Sequence, residues 1–185
     1  KNNSLVLIAM ASAFAIQSCG GNTSSNDQTR DSLDNSTTVI NQSHEDDDSN
    51  NFMKEAAVGG LMEVEAGKVA LSQSTNAEIK ALAEMIVEDH QIANTQLKEL
   101  ARTKNVLLPT ELPSDKQEHL SRLKEMQGSD FDKHYLQMMQ EEHQKDIAKF
   151  ENASESLRSD DVREFAKQTL PVLKKHAEKV SSIKL

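Results

Sequence analysis

The chain has 185 residues, of which 36% are hydrophobic and 3% aromatic, and its 30 acidic and 21 basic residues give a net charge of −9. This length fits one domain with accessory segments. The sequence contains no basic patch, which argues against a nucleic-acid partner. With three prolines and six glycines, and abundant Ala, Leu, Glu, Lys and Gln, the composition favours helix over sheet.

The first residues follow the order of a secretory signal. Lys1 and two asparagines precede an uncharged apolar run from Leu5 to Ile16, and small residues follow. This run of about 12 residues is too short to span a bilayer, which needs about 20. The segment "IQSC" also resembles a bacterial lipobox, in which the cysteine is lipidated after cleavage. We therefore predict a lipoprotein signal peptide over residues 1–18 and a membrane anchor on Cys19; a plain secretory signal and an uncleaved anchor are the alternatives.

The segment after the cysteine predicts the location and a spacer. In some bacteria an aspartate directly after the lipidated cysteine keeps a lipoprotein in the inner membrane. This chain has Gly20 at that position. The predicted location is therefore the cell envelope, as an outer-membrane lipoprotein that faces the periplasm or the cell surface. Residues 19–51 are rich in Ser, Thr, Asn and Asp and have too few apolar residues to bury a core. We predict an acidic, disordered tether there and a folded domain over residues 52–185.

Four long segments of that domain show the helical period, at about 51–73, 76–104, 129–154 and 160–183. Thr75 is the predicted N-cap of the second helix. The small residues on the apolar face of the first helix, Ala56, Ala57, Gly60 and Gly67, indicate close approach by a neighbouring helix. A connection with two prolines and a short helix at about 115–126 follow the second helix. The predicted fold class is all-α, a four-helix bundle, in which a ferritin-like long crossover and a plain up-and-down order are both open.

Each long helix carries a polar residue within its apolar stripe. In "LAEMIVEDHQIANTQL" the polar residues are Asp89 and His90. On a helical wheel the inward-facing polar set is Glu63, His90, His143 and His176. At about 1.5 Å of rise per residue, all four fall within one or two turns of the middle of the bundle. We therefore predict that one carboxylate and three imidazoles meet in one layer.

These side chains suit a metal ion. Imidazoles and a carboxylate are ligands for Zn²⁺, Cu²⁺, Ni²⁺ or Fe²⁺. The metal-site hypothesis places Asp89, Glu142 and Asp146 beside the ligands, with Asp89 or Asp146 orienting an imidazole. The alternative is a structural layer in which histidines and carboxylates satisfy one another and fix the helix register.

Two-iron chemistry is disfavoured, because di-iron bundles use Glu-x-x-His on two helices. Here Val87, Gln140 and Leu173 stand three residues before the three histidines. The sequence has no nucleophile elbow, phosphate-binding loop or dinucleotide motif, and we predict no catalytic residues. A binding or stress-related module is the predicted function. A metal-dependent redox enzyme of the periplasm and a purely structural partner-binding bundle are the rivals, and a protein partner or a homo-oligomer stays open.

Four segments together resemble a known family: "EAAVGGLMEVEAGKVAL", "LAEMIVEDHQIAN", "FDKHYLQMMQEEHQKDIAKF" and "LPVLKKHAEKV". They are similar to the bacterial ferritin-like family called domain of unknown function 4142, whose members are often labelled outer membrane proteins. The resemblance covers about 52–183. It implies a four-helix ferritin-like bundle in an exported protein, and no particular activity. The matching motif positions are Glu63, Asp89, His90, His143 and His176.

Overall fold

The computed structural model describes the backbone of residues 34–185 and the side chains of residues 47–185. Within this part of the chain the secondary structure consists of five helices and no strands, which confirms the all-α prediction. They are α1 (Asp34–Gln73), α2 (Ala77–Thr103), α3 (Ser114–Glu125), α4 (Gly128–Ser156) and α5 (Asp160–Ser182). No described helix is both long and apolar enough to cross a membrane. The predicted signal peptide and Cys19 lie outside the described residues.

The first helix begins earlier than predicted. α1 starts at Asp34, whereas the sequence pattern placed its start at about residue 51 and a disordered tether before it. The structure therefore differs from the tether prediction from Asp34 on. Low apolar content argues against a packed core, but not against a helix that continues from a packed segment. Neither proline nor glycine interrupts residues 34–58, and each residue added to an existing helix gains a hydrogen bond without a new nucleus.

The four long helices form a closed ring of neighbours. α1 packs against α2 and α4, and α5 packs against the same two helices. One end of the bundle is closed by an apolar cluster that includes Ala70, Ile79, Phe131 and Val180. The other end is closed by a cluster that includes Met53, Leu97, Phe150 and Val162.

The direction of the helices follows from these two clusters. α2 and α4 both start at the end that contains Ile79 and Phe131, so they run in the same direction. The connection between them, which carries α3, therefore runs from one end of the bundle to the other, with α3 packed against α1 and α4. A plain up-and-down order would make α2 and α4 antiparallel, and the structure does not have it.

The start of α2 is set by Asn76, not by the predicted Thr75. The backbone of Asn76 is extended, and its side-chain oxygen accepts hydrogen bonds from the backbone N–H groups of Glu78 at 2.8 Å and Ile79 at 3.4 Å. These are two of the donors that a helix leaves without partners at its first turn. The cap fixes where α2 begins and thereby which of its residues face the bundle interior.

Two glycines of α1 bring it close to α2. A Cβ atom built on Gly67 would lie 2.6 Å from Cγ2 of Val87 and 3.3 Å from the carbonyl oxygen of Ala83. One built on Gly60 would lie 2.3 Å from Oδ1 of Asn94. The predicted close approach therefore occurs between α1 and α2, at one position before Glu63 and one after it.

We expect Gly67→Ala to lower the free energy of unfolding by about 1–3 kcal/mol, because the added methyl group collides with a β-branched side chain and a backbone carbonyl. Alanine alone would favour the helix by about 1 kcal/mol. Urea unfolding measures the difference. Val87→Ala in the same chain removes the collision, so the double variant should lose less than the two single variants together. Simple additivity of the three variants would contradict this explanation.

Candidate metal centre

The four polar residues predicted to face inward meet in the middle of the bundle. Glu63 comes from α1, His90 from α2, His143 from α4 and His176 from α5. Three of these residues are 0% exposed and His90 is 6% exposed. They form a layer between the two apolar clusters. Within this layer Glu63 contacts both His90 and His143.

Close contacts link these side chains in one continuous series. Nε2 of His176 lies 2.9 Å from Oδ2 of Asp89, and its Nδ1 lies 3.2 Å from Nε2 of His143. Nδ1 of His143 lies 3.1 Å from Oε1 of Glu63. Oε2 of Glu63 in turn lies 3.2 Å from Nε2 of His90. The series begins at a partly exposed carboxylate and ends at a buried imidazole.

The outer contacts of two histidines determine where their protons lie. Nδ1 of His143 lies 2.9 Å from the carbonyl oxygen of Met139, which can only accept, so this nitrogen carries the proton. Nε2 of His176 faces the Asp89 carboxylate, which also lies 3.6 Å from the Lys175 ammonium group, so Nε2 donates. In a neutral imidazole the remaining nitrogen then holds a lone pair.

The remaining nitrogens of His143 and His176 therefore point lone pairs at each other across 3.2 Å. A proton between them would charge one ring. Burial, and then the neighbouring His176, lower the pKa of His143 to about 4. Burial also lowers the pKa of His176 despite its bond to Asp89. A bridging proton is consequently disfavoured at neutral pH, and a metal ion bound between the two nitrogens would satisfy both of them.

Glu63 presents buried oxygens without a donor. Both of its carboxyl oxygens approach histidine nitrogens, but neither contact has the angles of a hydrogen bond. Burial, followed by the charges of Asp146 and Glu142, raises the pKa of Glu63 well above its usual value. Nε2 of His90 is also buried without a hydrogen bond, and burial lowers the pKa of His90 well below its usual value. A cation would satisfy the lone pair of His90 and, by displacing the proton of the neutral Glu63 carboxyl, one of the oxygens of Glu63.

The spacing of the nitrogens matches that of ligands on one ion. One ring nitrogen from each of His90, His143 and His176 lies within 4.8 Å of the others. Two nitrogens bound to a tetrahedral ion at about 2.0–2.1 Å are about 3.3 Å apart. The 3.2 Å separation between His143 and His176 is therefore a ligand spacing already present in the fold.

Among the flanking acids, Asp89 orients an imidazole and Asp146 does not. The sequence left both as candidates for this role, and in the structure Asp89 is the one that contacts His176. Asp146 instead lies 3.7 Å from the Lys149 ammonium group, and burial raises its pKa. Glu142 pairs with Lys116 and, at 3.0 Å, with Lys145. Burial alone would raise the pKa of Glu142, but these two lysines lower it.

Two features of the site were missed by the sequence prediction. The Met139 carbonyl fixes the tautomer of His143, and Lys149 covers Asp146. The first has a weak signal, since a helical histidine always has a carbonyl four residues before it, but only its rotamer decides whether the two meet. For the contact of Lys149 with Asp146, the sequence offers only the spacing of three residues, and many surface pairs have the same spacing.

Comparison with known proteins identifies the family. A family model described as Domain of unknown function (DUF4142) matches residues 35–183. The chain belongs to this family. No curated protein matches it significantly. A solved structure, the crystal structure of a DUF305 fragment from Deinococcus radiodurans, is similar with a TM-score of 0.65 and 12% identity over 72% of this chain and 93% of that chain. At this low identity, the similarity shows only that this DUF4142 protein and the fragment share a helical fold.

The buried carboxyl predicts a pH-dependent stability in metal-free protein. Because the folded state raises the pKa of Glu63, the unfolded chain loses this proton above about pH 4.5 while the folded chain keeps it. Glu63→Gln, measured in chelator, should therefore gain stability relative to wild type as the pH rises above about 4.5, by about 1.4 kcal/mol per pH unit until the pH reaches the raised pKa of the folded state. Its advantage should be larger at pH 8 than at pH 5. Guanidinium unfolding at pH 5 and pH 8 tests this.

Glu65→Gln is the matched control, because Glu65 lies two residues further on the outer side of the same helix, 2.6 Å from Lys68. This variant removes one carboxyl outside the buried layer and is the baseline for the comparison. An advantage of Glu63→Gln that does not change with pH would show that the Glu63 carboxyl is not held in its neutral form.

Proposed function

We propose that this DUF4142 protein is an exported, lipid-anchored bundle of the bacterial cell envelope that binds one transition-metal ion in its core. The ligands are His90, His143 and His176, with Glu63 as the carboxylate. The observation that carries the proposal is the contact at 3.2 Å between two ring nitrogens whose protons are both engaged on their far sides. Between two lone pairs at this distance there is no room for water, and a metal ion satisfies both.

The ligand chemistry supports Zn²⁺, Cu²⁺, Ni²⁺ or Fe²⁺. All three histidines are held in the neutral form that binds metal, because burial lowers their pKa values. An ion would also reverse the electrostatics of Glu63, since a nearby divalent charge favours the ionised carboxylate. With one carboxylate, and without the Glu-x-x-His pairs of di-iron bundles, the set suits one ion rather than two.

The closure of the site supports a binding or stress-related module rather than an enzyme. With Glu63 as the fourth ligand beside the three histidines, the site would fill the four positions of a tetrahedral ion, as in structural sites, whereas catalytic sites keep a position for water or substrate. Each ligand is buried. In a metal-dependent redox enzyme, the substrate would need a position on the ion. One of these ligands would then have to leave, or the ion would have to accept more than four ligands.

The topology supports a ferritin-like bundle. The hairpins α1–α2 and α4–α5 are joined by a connection that runs the length of the bundle. One long crossover of this kind is the connectivity of ferritin-like folds. Together with the lipobox-like "IQSC", it supports an outer-membrane lipoprotein whose folded domain faces the periplasm or the cell surface.

Protein purified without a histidine tag should contain, or take up, about one ion per chain, and a saturating ion at 100 times its Kd should stabilise the fold by about 2.7 kcal/mol. Elemental analysis and thermal unfolding with each of the four ions measure this. His90→Ala, His143→Ala and His176→Ala should each abolish tight binding, and Asp89→Asn should weaken it about 10- to 100-fold. Circular dichroism verifies that each variant is folded.

His119→Ala is the matched control, because His119 is exposed on α3 and lies outside the layer. Its metal content should equal that of wild type. If wild type binds none of the four ions, and replacement of the layer by Leu and Met keeps the stability, the layer is structural and the metal proposal is wrong.

The proposed anchor is tested with Cys19→Ser in the full chain, expressed in a bacterium. Lipid on Cys19 should hold wild type in the membrane fraction after a carbonate wash, because several acyl chains give stable anchoring where one is marginal. The variant should move to the soluble periplasmic fraction and lose labelling by a palmitate analogue. Equal membrane retention and labelling of the two proteins would exclude lipidation at this cysteine.

A further inference from the structure

Asp146 separates two spaces in the bundle. On its outer side, a groove of about 350 Å³ lies among α1, the connection and α4, and its charged lining includes Lys54, Glu55, Lys116, Glu142 and Lys149. On its inner side, a cavity of about 10 Å³ is lined by His90, Asn94 and Thr169 among apolar residues. Asp146 lines both spaces. The carboxylate of Asp146 therefore lies between the outer groove and the small cavity that His90 lines.

The helix backbone at Gly59 makes room for this carboxylate. A Cβ atom built on Gly59 would lie 2.9 Å from Oδ2 of Asp146, so any other residue would push the carboxylate away. The side chain of Asp146 is only 10% exposed, although the groove beside it is open. The charge of Asp146 acts on Glu63, whose pKa it raises.

Lys149 covers Asp146 on the side of the groove. Its ammonium nitrogen lies 3.7 Å from Oδ1 of Asp146 and 3.2 Å from Oε2 of Glu55 on α1. The lysine side chain is 31% exposed, so it can swing into solvent. A divalent cation that reached the groove would compete with this ammonium group for the same two carboxylates.

The opposite side of the layer offers a poorer path. Asp89 is 29% exposed there, but behind it lies the N–H group of His176, which donates to this carboxylate. A cation arriving from that side meets a proton rather than a lone pair. On the side of Asp146, the small cavity is lined by His90, whose Nε2 is buried without a hydrogen bond.

We propose that metal ions reach the histidine layer through Asp146, which serves as a transit ligand between the outer groove and His90, and that Lys149 is the displaceable plug of this route. This inference rests on the proposed metal site and adds its path of access. It assigns Asp146 a role in the rate of loading and not in the final coordination. Removal of its charge should therefore slow uptake by a larger factor than it weakens the equilibrium affinity.

Stopped-flow mixing of metal-free full chain with Zn²⁺ or Cu²⁺, in competition with a chromophoric chelator, measures the rate of uptake, and titration with the same chelator measures the affinity. Asp146→Asn keeps the size of the side chain, and it should load about tenfold or more slowly, because local charge of this kind changes association rates by such factors. Gly59→Ala displaces the carboxylate from the other helix and should also slow loading. Lys149→Met should speed it.

Lys145→Met is the matched control, because it removes the same charge from the same groove but leaves Lys149 over Asp146. Its uptake rate should rise less than that of Lys149→Met. Unchanged rates in both Asp146→Asn and Lys149→Met, with wild type still binding the ion, would overturn the route and leave the metal site standing. If Asp146→Asn does not fold, an unchanged rate in Lys149→Met and Gly59→Ala decides against the route. Uptake of neither ion by wild type would overturn the metal site and the route with it.

Discussion

The candidate site depends on one contact, that between the ring nitrogens of His143 and His176 inside a buried layer. Each ring is held by a partner on its far side, so neither can turn its proton inward without giving up a buried hydrogen bond. The strain of this arrangement is electrostatic, because an unpartnered acceptor in a low-dielectric interior is costly. Four well-packed apolar side chains of similar volume are often as stable as such a layer or more stable, so the contact adds little to packing.

The surrounding bundle compensates for this cost. Apolar clusters on both sides of the layer fix the spacing and the register of the four long helices. The glycines of α1 shorten the distance to α2 near Glu63, and this brings the carboxyl of Glu63 within 3.2 Å of His90. Packing therefore determines the geometry of the polar groups, and the polar groups contribute little to holding the helices together.

Helical periodicity predicted most of this fold from the sequence. Apolar stripes specify which face of each helix is buried, so a polar residue within a stripe, such as His143, must point inward. The place of Asp146 could not be read in this way, because the wheel gives its direction but not whether Lys149 or an imidazole meets it. The start of α1 was misplaced because its first turns have no apolar stripe to mark them. The direction of α4 was open because a connection of this length can either cross the bundle or fold back at one end.

The order of the ligands along the chain has a consequence for biogenesis. The proposed ligands come from the first, second, fourth and fifth helices, so the site is complete only when both the first and the last helix are in place. A chain that is exported unfolded, and that emerges from its first residue onward, could not retain an ion until α5 had docked. Under the proposed function, metal loading would then mark the end of folding, and it would take place in the compartment where the protein works.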